Sequence, residues 1–89
     1  MAFDPKGLSV LAYANGFTLW HYTTADDKGE VDTAGYFDGA NEMLRSGDMI
    51  LANVDTGATP EAGIFHVSAN AAGSVDVDDM TAVGGTDTD

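Results

Sequence analysis

Alternation of apolar and polar side chains marks strands along most of this 89-residue chain. Residues 17–23, Phe-Thr-Leu-Trp-His-Tyr-Thr, are a run of aromatic and β-branched side chains that reads as a strand. Asn15-Gly16 directly before it is a hairpin signal of the type I′ kind, joining it to the apolar segment 9–14. Residues 48–54, 63–69 and 74–80 read as further strands, divided by the polar loop 55–62 and a turn at 70–73. Only the last alternates cleanly, with Val75 and Val77 on one side and Asp76 and Asp78 on the other. The others are apolar on both faces: Phe17, Leu19 and His21 back Thr18, Trp20 and Tyr22, while Ile64 and His66 back Phe65 and Val67. A sheet with one wet face should not look like this.

Residues 24–32 form a polar loop, and the pattern then turns helical. One short helix is predicted over residues 36–46, with Asp38 and Glu42 toward its start, Arg45 in its last turn and Gly47 as its stop. Phe37, Ala40 and Leu44 would form its buried stripe, with Asp38 on the opposite side. Gly39 in its middle implies a close approach by another backbone, since glycine there is unfavourable by up to ~1 kcal/mol against alanine. The predicted fold is α+β and β-rich: a small, mostly antiparallel sheet of four to five strands with one short helix. It occupies residues 8–82, between an N-terminal arm (1–7) and a flexible acidic tail (83–89) rich in glycine.

Charge narrows the choice of partner. Fifteen Asp and Glu stand against three Lys and Arg, a net charge of −12. Such a field repels nucleic acid and anionic lipid headgroups alike, so neither is an expected partner. No apolar run reaches the ~18–20 residues that span a bilayer. Ala12-Tyr13-Ala14 has the form of a signal-peptidase site, but Asp4 offsets Lys6 and the site lies inside the apolar stretch, so no leader is expected. The chain has no cysteine, which removes disulfides, thiolate metal sites and cysteine nucleophiles.

The remaining side chains offer little chemistry. His21 and His66 lie in strands, with no ligand-like neighbour at i+2 or i+4. The acidic clusters 26–32 and 76–79 lack the spacing of an EF-hand. No serine lies in a G-x-S-x-G elbow, and the phosphate-loop and dinucleotide fingerprints are absent. No catalytic, cofactor-binding or metal-ligating residue is expected, and the chain does not read as an enzyme. A domain of this size buries only about 60–65% of its unfolded surface, so a partner subunit is the simplest cover for the second apolar face. The expected interface residues are Phe17, Leu19, Trp20, His21, Tyr22, Ile64 and His66. Trp20 and Tyr22 also allow a carbohydrate-binding platform as an alternative.

As a set, Gly7-Leu8-Ser9-Val10-Leu11, residues 15–22, Ala34-Gly35-Tyr36-Phe37 and residues 44–50 resemble small proteins of tailed bacteriophages and prophages. Similar Tyr-Phe…Leu…Gly-Asp-x-Ile modules occur in head-fibre, head-decoration and tail-fibre proteins. The resemblance spans residues 7–80 and implies a virion structural protein, a capsid-decorating or head-fibre component or else a tail or tail-fibre one. It further implies a homo-oligomer, a trimer first, that contacts the major capsid protein or other virion proteins, is assembled in the host cytoplasm and resides in the virion.

Overall fold

In the computed structural model, which describes residues 3–84, six strands form one sheet. Strands β1 (Leu8–Ala14), β2 (Phe17–Thr23), β3 (Met49–Val54), β4 (Glu61–Ala71) and β5 (Ser74–Val77) lie side by side in that order. A two-residue sixth strand, β6 (Thr81–Ala82), also pairs with β4 and was not expected from the sequence. All neighbours are antiparallel except β2 and β3, which run parallel. Parallel neighbours require a crossover, and residues 24–48 supply it.

The hairpin between β1 and β2 is where the sequence put it, but its turn differs. Gly16 has φ +81° whereas Asn15 stays at negative φ, so the pair is not type I′. Both central residues are left-handed instead at Ala72-Gly73, φ +55° and +83°, between β4 and β5. Alanine there is unfavourable, because its Cβ crowds the carbonyl oxygen.

The crossover corrects the predicted helix. The one α-helix among the described residues, α1 (Lys28–Val31), lies in the segment that reads as a polar loop. It begins with a capping box: Asp27 accepts from the Glu30 backbone N–H at 2.8 Å, and Glu30 accepts from the Asp27 N–H at 3.2 Å. Residues 36–46 instead make tight turns around a 3-10 segment, Asp38–Ala40. Their backbone bonds run mostly over three residues, as from Ala40 N–H to Phe37 C=O. Tertiary partners take up groups that a helix would have paired. Asp38 accepts from the Val75 N–H at 2.8 Å, and the Asn70 amide donates to the carbonyls of Asn41 and Leu44. Asp38 is therefore half-buried against β5 and does not stand on an opposite, solvent side. Gly39 sits against the Phe3 ring, 3.3 Å from where a Cβ would stand, so the close neighbour is a side chain.

The stripe itself is buried as expected. Phe37, Ala40 and Leu44 pack with Val31 over the inner face of the sheet, on Trp20, Tyr22, Ile50, Val54, Phe65, Val67, Val75 and Val77. The N-terminal segment is not a free arm from Phe3 onward. Its ring stacks on Tyr22 with centroids 5.6 Å apart and tilts against Phe37 at 5.5 Å. Asp4 caps a 3-10 turn at Pro5–Gly7. The tail expected at 83–89 lies outside the described residues beyond Gly84, although the Val83 N–H still donates to the Ala62 carbonyl.

Two buried carboxylates organise the polar interior. Asp48, 2% exposed, accepts from the Thr18 N–H, the Trp20 indole N–H and the Arg45 N–H, each at 3.1 Å. Asp26, 3% exposed, accepts from the Tyr36 hydroxyl at 2.6 Å. The Asp4 N–H donates to the Tyr22 hydroxyl, which is thus free to donate onward to Tyr36 at 2.8 Å. This relay runs one way, toward Asp26. Burial, then the hydrogen bond to Asp26, holds the Tyr36 phenol protonated far above its ordinary range.

Two stability predictions follow from these contacts. Asp48→Ala strips the partner from three N–H groups and is expected to lower unfolding free energy by about 3 kcal/mol or more. Asp48→Asn, which keeps one acceptor oxygen, should fall between it and wild type. Ala72→Asn, which suits the left-handed position, is expected to stabilise by about 0.5–1 kcal/mol. Urea denaturation of the three variants checks both.

Candidate interaction surface

The crossover covers one face of the sheet; the opposite face carries no second layer among the described residues. Strand register shows how that outer face is built. Leu19 of β2 pairs with Met49 of β3, and Met49 with His66 of β4. One row on, His21 pairs with Leu51, Leu51 with Ile64, and Ile64 with Thr81. Side chains in register stand on the same side, so Leu19, Met49, Leu51 and Ile64 form a contiguous apolar patch, with Phe17 beyond Leu19. Met49 is 40% exposed, and the others are half-buried by one another.

The expected interface set therefore divides in two. Phe17, Leu19, His21, Ile64 and His66 share the outer face. Trp20 and Tyr22, 7% and 0% exposed, belong to the chain's own core. Alternation had already put Trp20 and Tyr22 on the opposite side of β2 from Leu19, and the buried side is the one that carries a hydrogen-bond partner for the indole. Met49 and Leu51 were missed as members, although they occupy the same alternation of β3. Edge strand β1 was missed altogether: Val10, Leu11 and Tyr13 are 55%, 53% and 74% exposed.

Each histidine on this face is engaged by a neighbour. His66 Nδ1 lies 2.9 Å from the Asp78 carboxylate, so Nδ1 carries a proton and donates. His21 Nε2 lies 3.1 Å from the Asn53 amide nitrogen; that nitrogen can only donate, so Nε2 accepts and the proton sits on Nδ1. A groove of about 200 Å³ runs beside His21, bounded by Leu51, Asn53, Ala62 and Val83.

A larger cleft of about 550 Å³ opens elsewhere, between α1 and the segment before β6. Asp27, Asp32, Glu61 and Asp79 line it, and Lys28 reaches Glu61 at 3.4 Å. Burial, then the neighbouring Asp79 charge and its hydrogen bond, raise the Asp32 carboxyl above its ordinary 3.8; Asp27 and Asp76 act in the same direction. No group of three or more His, Asp or Glu among the described residues is arranged to hold a metal ion. No helix among them is long and apolar enough to cross a membrane.

No protein-family model matches this chain, and no curated protein or solved structure does.

The Asp32 environment carries a pH prediction. The folded chain keeps a proton on Asp32 that the unfolded chain releases near pH 3.8, so stability falls as pH rises from there through the raised value. Asp32→Asn is expected to flatten that fall and to be the more stable protein near neutrality. Denaturation midpoints of both proteins, from about pH 4 to about pH 7, check the slope.

Proposed function

We propose that this chain is a non-enzymatic structural protein of a bacteriophage virion, a capsid-decorating or head-fibre component that works by protein–protein assembly. The single observation that carries the assembly reading is the outer sheet face, where Leu19, Met49, Leu51 and Ile64 meet in register with no layer over them among the described residues. Two-layer packing is the usual way to bury such a surface, and this chain uses its crossover on the other side. The resemblance of residues 7–80 to small phage structural proteins supports the virion setting. The same resemblance supports a trimer as the homo-oligomer and the major capsid protein as the second partner. The net charge of −12 supports protein contacts over nucleic acid or membrane.

A sugar platform on Trp20 and Tyr22 has no support, because both rings are buried in the core. A place in the tail instead of the head is separated by copy number: a mass-spectrometric and cryo-microscopy inventory of the particle gives the symmetry site.

Native mass spectrometry of the purified protein is expected to show one multimer at micromolar concentration. Met49→Glu puts an unpaired charge in the middle of the outer face. It should weaken association at least about tenfold, equivalent to ~1.4 kcal/mol, while circular dichroism stays unchanged. A monomeric wild type, or a Met49→Glu protein that associates as before, overturns the assembly reading.

A further inference from the structure

The two edges of the sheet are not alike. At the far edge, β5 is four residues long and its outward backbone at Val75 is already engaged: the N–H donates to Asp38 at 2.8 Å, and the carbonyl accepts from the Gly35 N–H at 3.3 Å. β6 on that side is two residues long. At the near edge, β1 runs for seven residues with no strand beyond it among the described residues. Edge strands are commonly guarded by lysine, proline or an inward charge. β1 has none of these, and the one guard it carries is a bulge-type register shift between Val10 and Ala12.

Charge sets β1 apart as well. All 15 acidic residues and all three basic ones lie outside residues 7–25, so the whole β1–β2 hairpin is free of Asp, Glu, Lys and Arg. Two copies of a chain at −12 repel over most of their surfaces. The hairpin is where they can approach without placing carboxylate against carboxylate. It is also where Val10, Leu11 and Tyr13 stand more than half exposed.

We propose that β1 docks a second copy of this chain through antiparallel β1–β1 pairing across a two-fold axis, merging two sheets into one. β5 is short and its outward backbone is already taken at Val75, which works against a head-to-tail join of β1 to β5 and favours a contact that joins like to like. It deepens the assembly reading and rests on it for the identity of the partner, while using a surface distinct from the outer face. With the edge acting alone the product is a dimer; where the outer face builds a trimer, the edge joins two trimers into a hexamer.

The chain has no cysteine, so single cysteines report the geometry cleanly. The variants are Val10→Cys, Leu11→Cys and Tyr13→Cys, with the exposed Met43→Cys as reference. A disulfide needs Cα atoms within about 7 Å, and in a two-fold antiparallel pairing a residue meets its own copy only near the axis. Cross-linking is expected to peak at one β1 position, form there at least about tenfold faster than at Met43→Cys, and fall away to either side. The double variant Leu11→Lys/Tyr13→Lys, at positions the monomer leaves exposed, is expected to halve the native mass. Cross-linking no faster than the reference, or a native mass unchanged by the two lysines, overturns the β1 contact. If Met49→Glu still dissociates the protein in that case, the outer-face reading survives; if the lysines dissociate it and Met49→Glu does not, the outer face fails and the edge stands.

Discussion

The Asp48 carboxylate holds together the part of this fold that local structure cannot. β2 and β3 are parallel neighbours separated by a long crossover, and nothing in the turn chemistry of either end sets their register. Asp48 stands one residue before β3 and grips β2 twice, through the Thr18 N–H and the Trp20 indole, while it closes its own turn on the Arg45 N–H. Hydrogen bonds to a charged group are each worth about 1.5–3 kcal/mol, and a buried carboxylate without them is strongly unfavourable. The same contact therefore penalises any shift of β3 along β2. It also selects which face of β2 goes inside, because a buried indole N–H needs an acceptor.

With Trp20 and Tyr22 turned inward, the crossover becomes the second layer of a one-sided core. Its backbone is satisfied piecemeal, by the Asp27–Glu30 capping box, by Asp38 on β5 and by the Asn70 amide on the carbonyls of Asn41 and Leu44. These links explain how a segment with so little helix can still bury Phe37, Ala40 and Leu44 almost completely. They also close the β5 edge at Val75, so one set of hydrogen bonds both holds down the core cover and blunts one side of the sheet. The cost of committing the whole crossover to one face is an opposite face left uncovered among the described residues and a β1 edge guarded only by its register shift, and both bear on assembly.

Local pattern alone determined a good deal. Alternation and turn residues gave strands near their observed bounds, the two-residue hairpin at Asn15-Gly16 and a β-rich sheet, because each of these rests on nearest neighbours in sequence. The apolar period also identified Phe37, Ala40 and Leu44 as core, and the double-sided strands pointed to a face needing cover. The Asp27–Glu30 capping box is legible as well, but the helix it opens, Lys-Gly-Glu-Val, is a single turn with a glycine in it and too short for an apolar period to show.

Tertiary structure decided the rest. Whether residues 36–46 wind into a helix depended on Val75, Asn70 and Phe3, partners up to 37 residues away, whose hydrogen bonds and ring contact outweighed a local preference weakened by Gly35 and Gly39. Which side of β2 faces the core depended on a carboxylate 28 residues further along, so alternation set Trp20 and Tyr22 opposite Leu19 and His21 without deciding which side is buried. The outer patch exists only because parallel pairing of β2 with β3 brings Leu19 beside Met49, and antiparallel pairing of β3 with β4 brings Leu51 beside Ile64. Sequence fixes which side chains are apolar and at what period they recur; register and strand order, set by contacts between distant residues, decide which of them end up together and which remain uncovered.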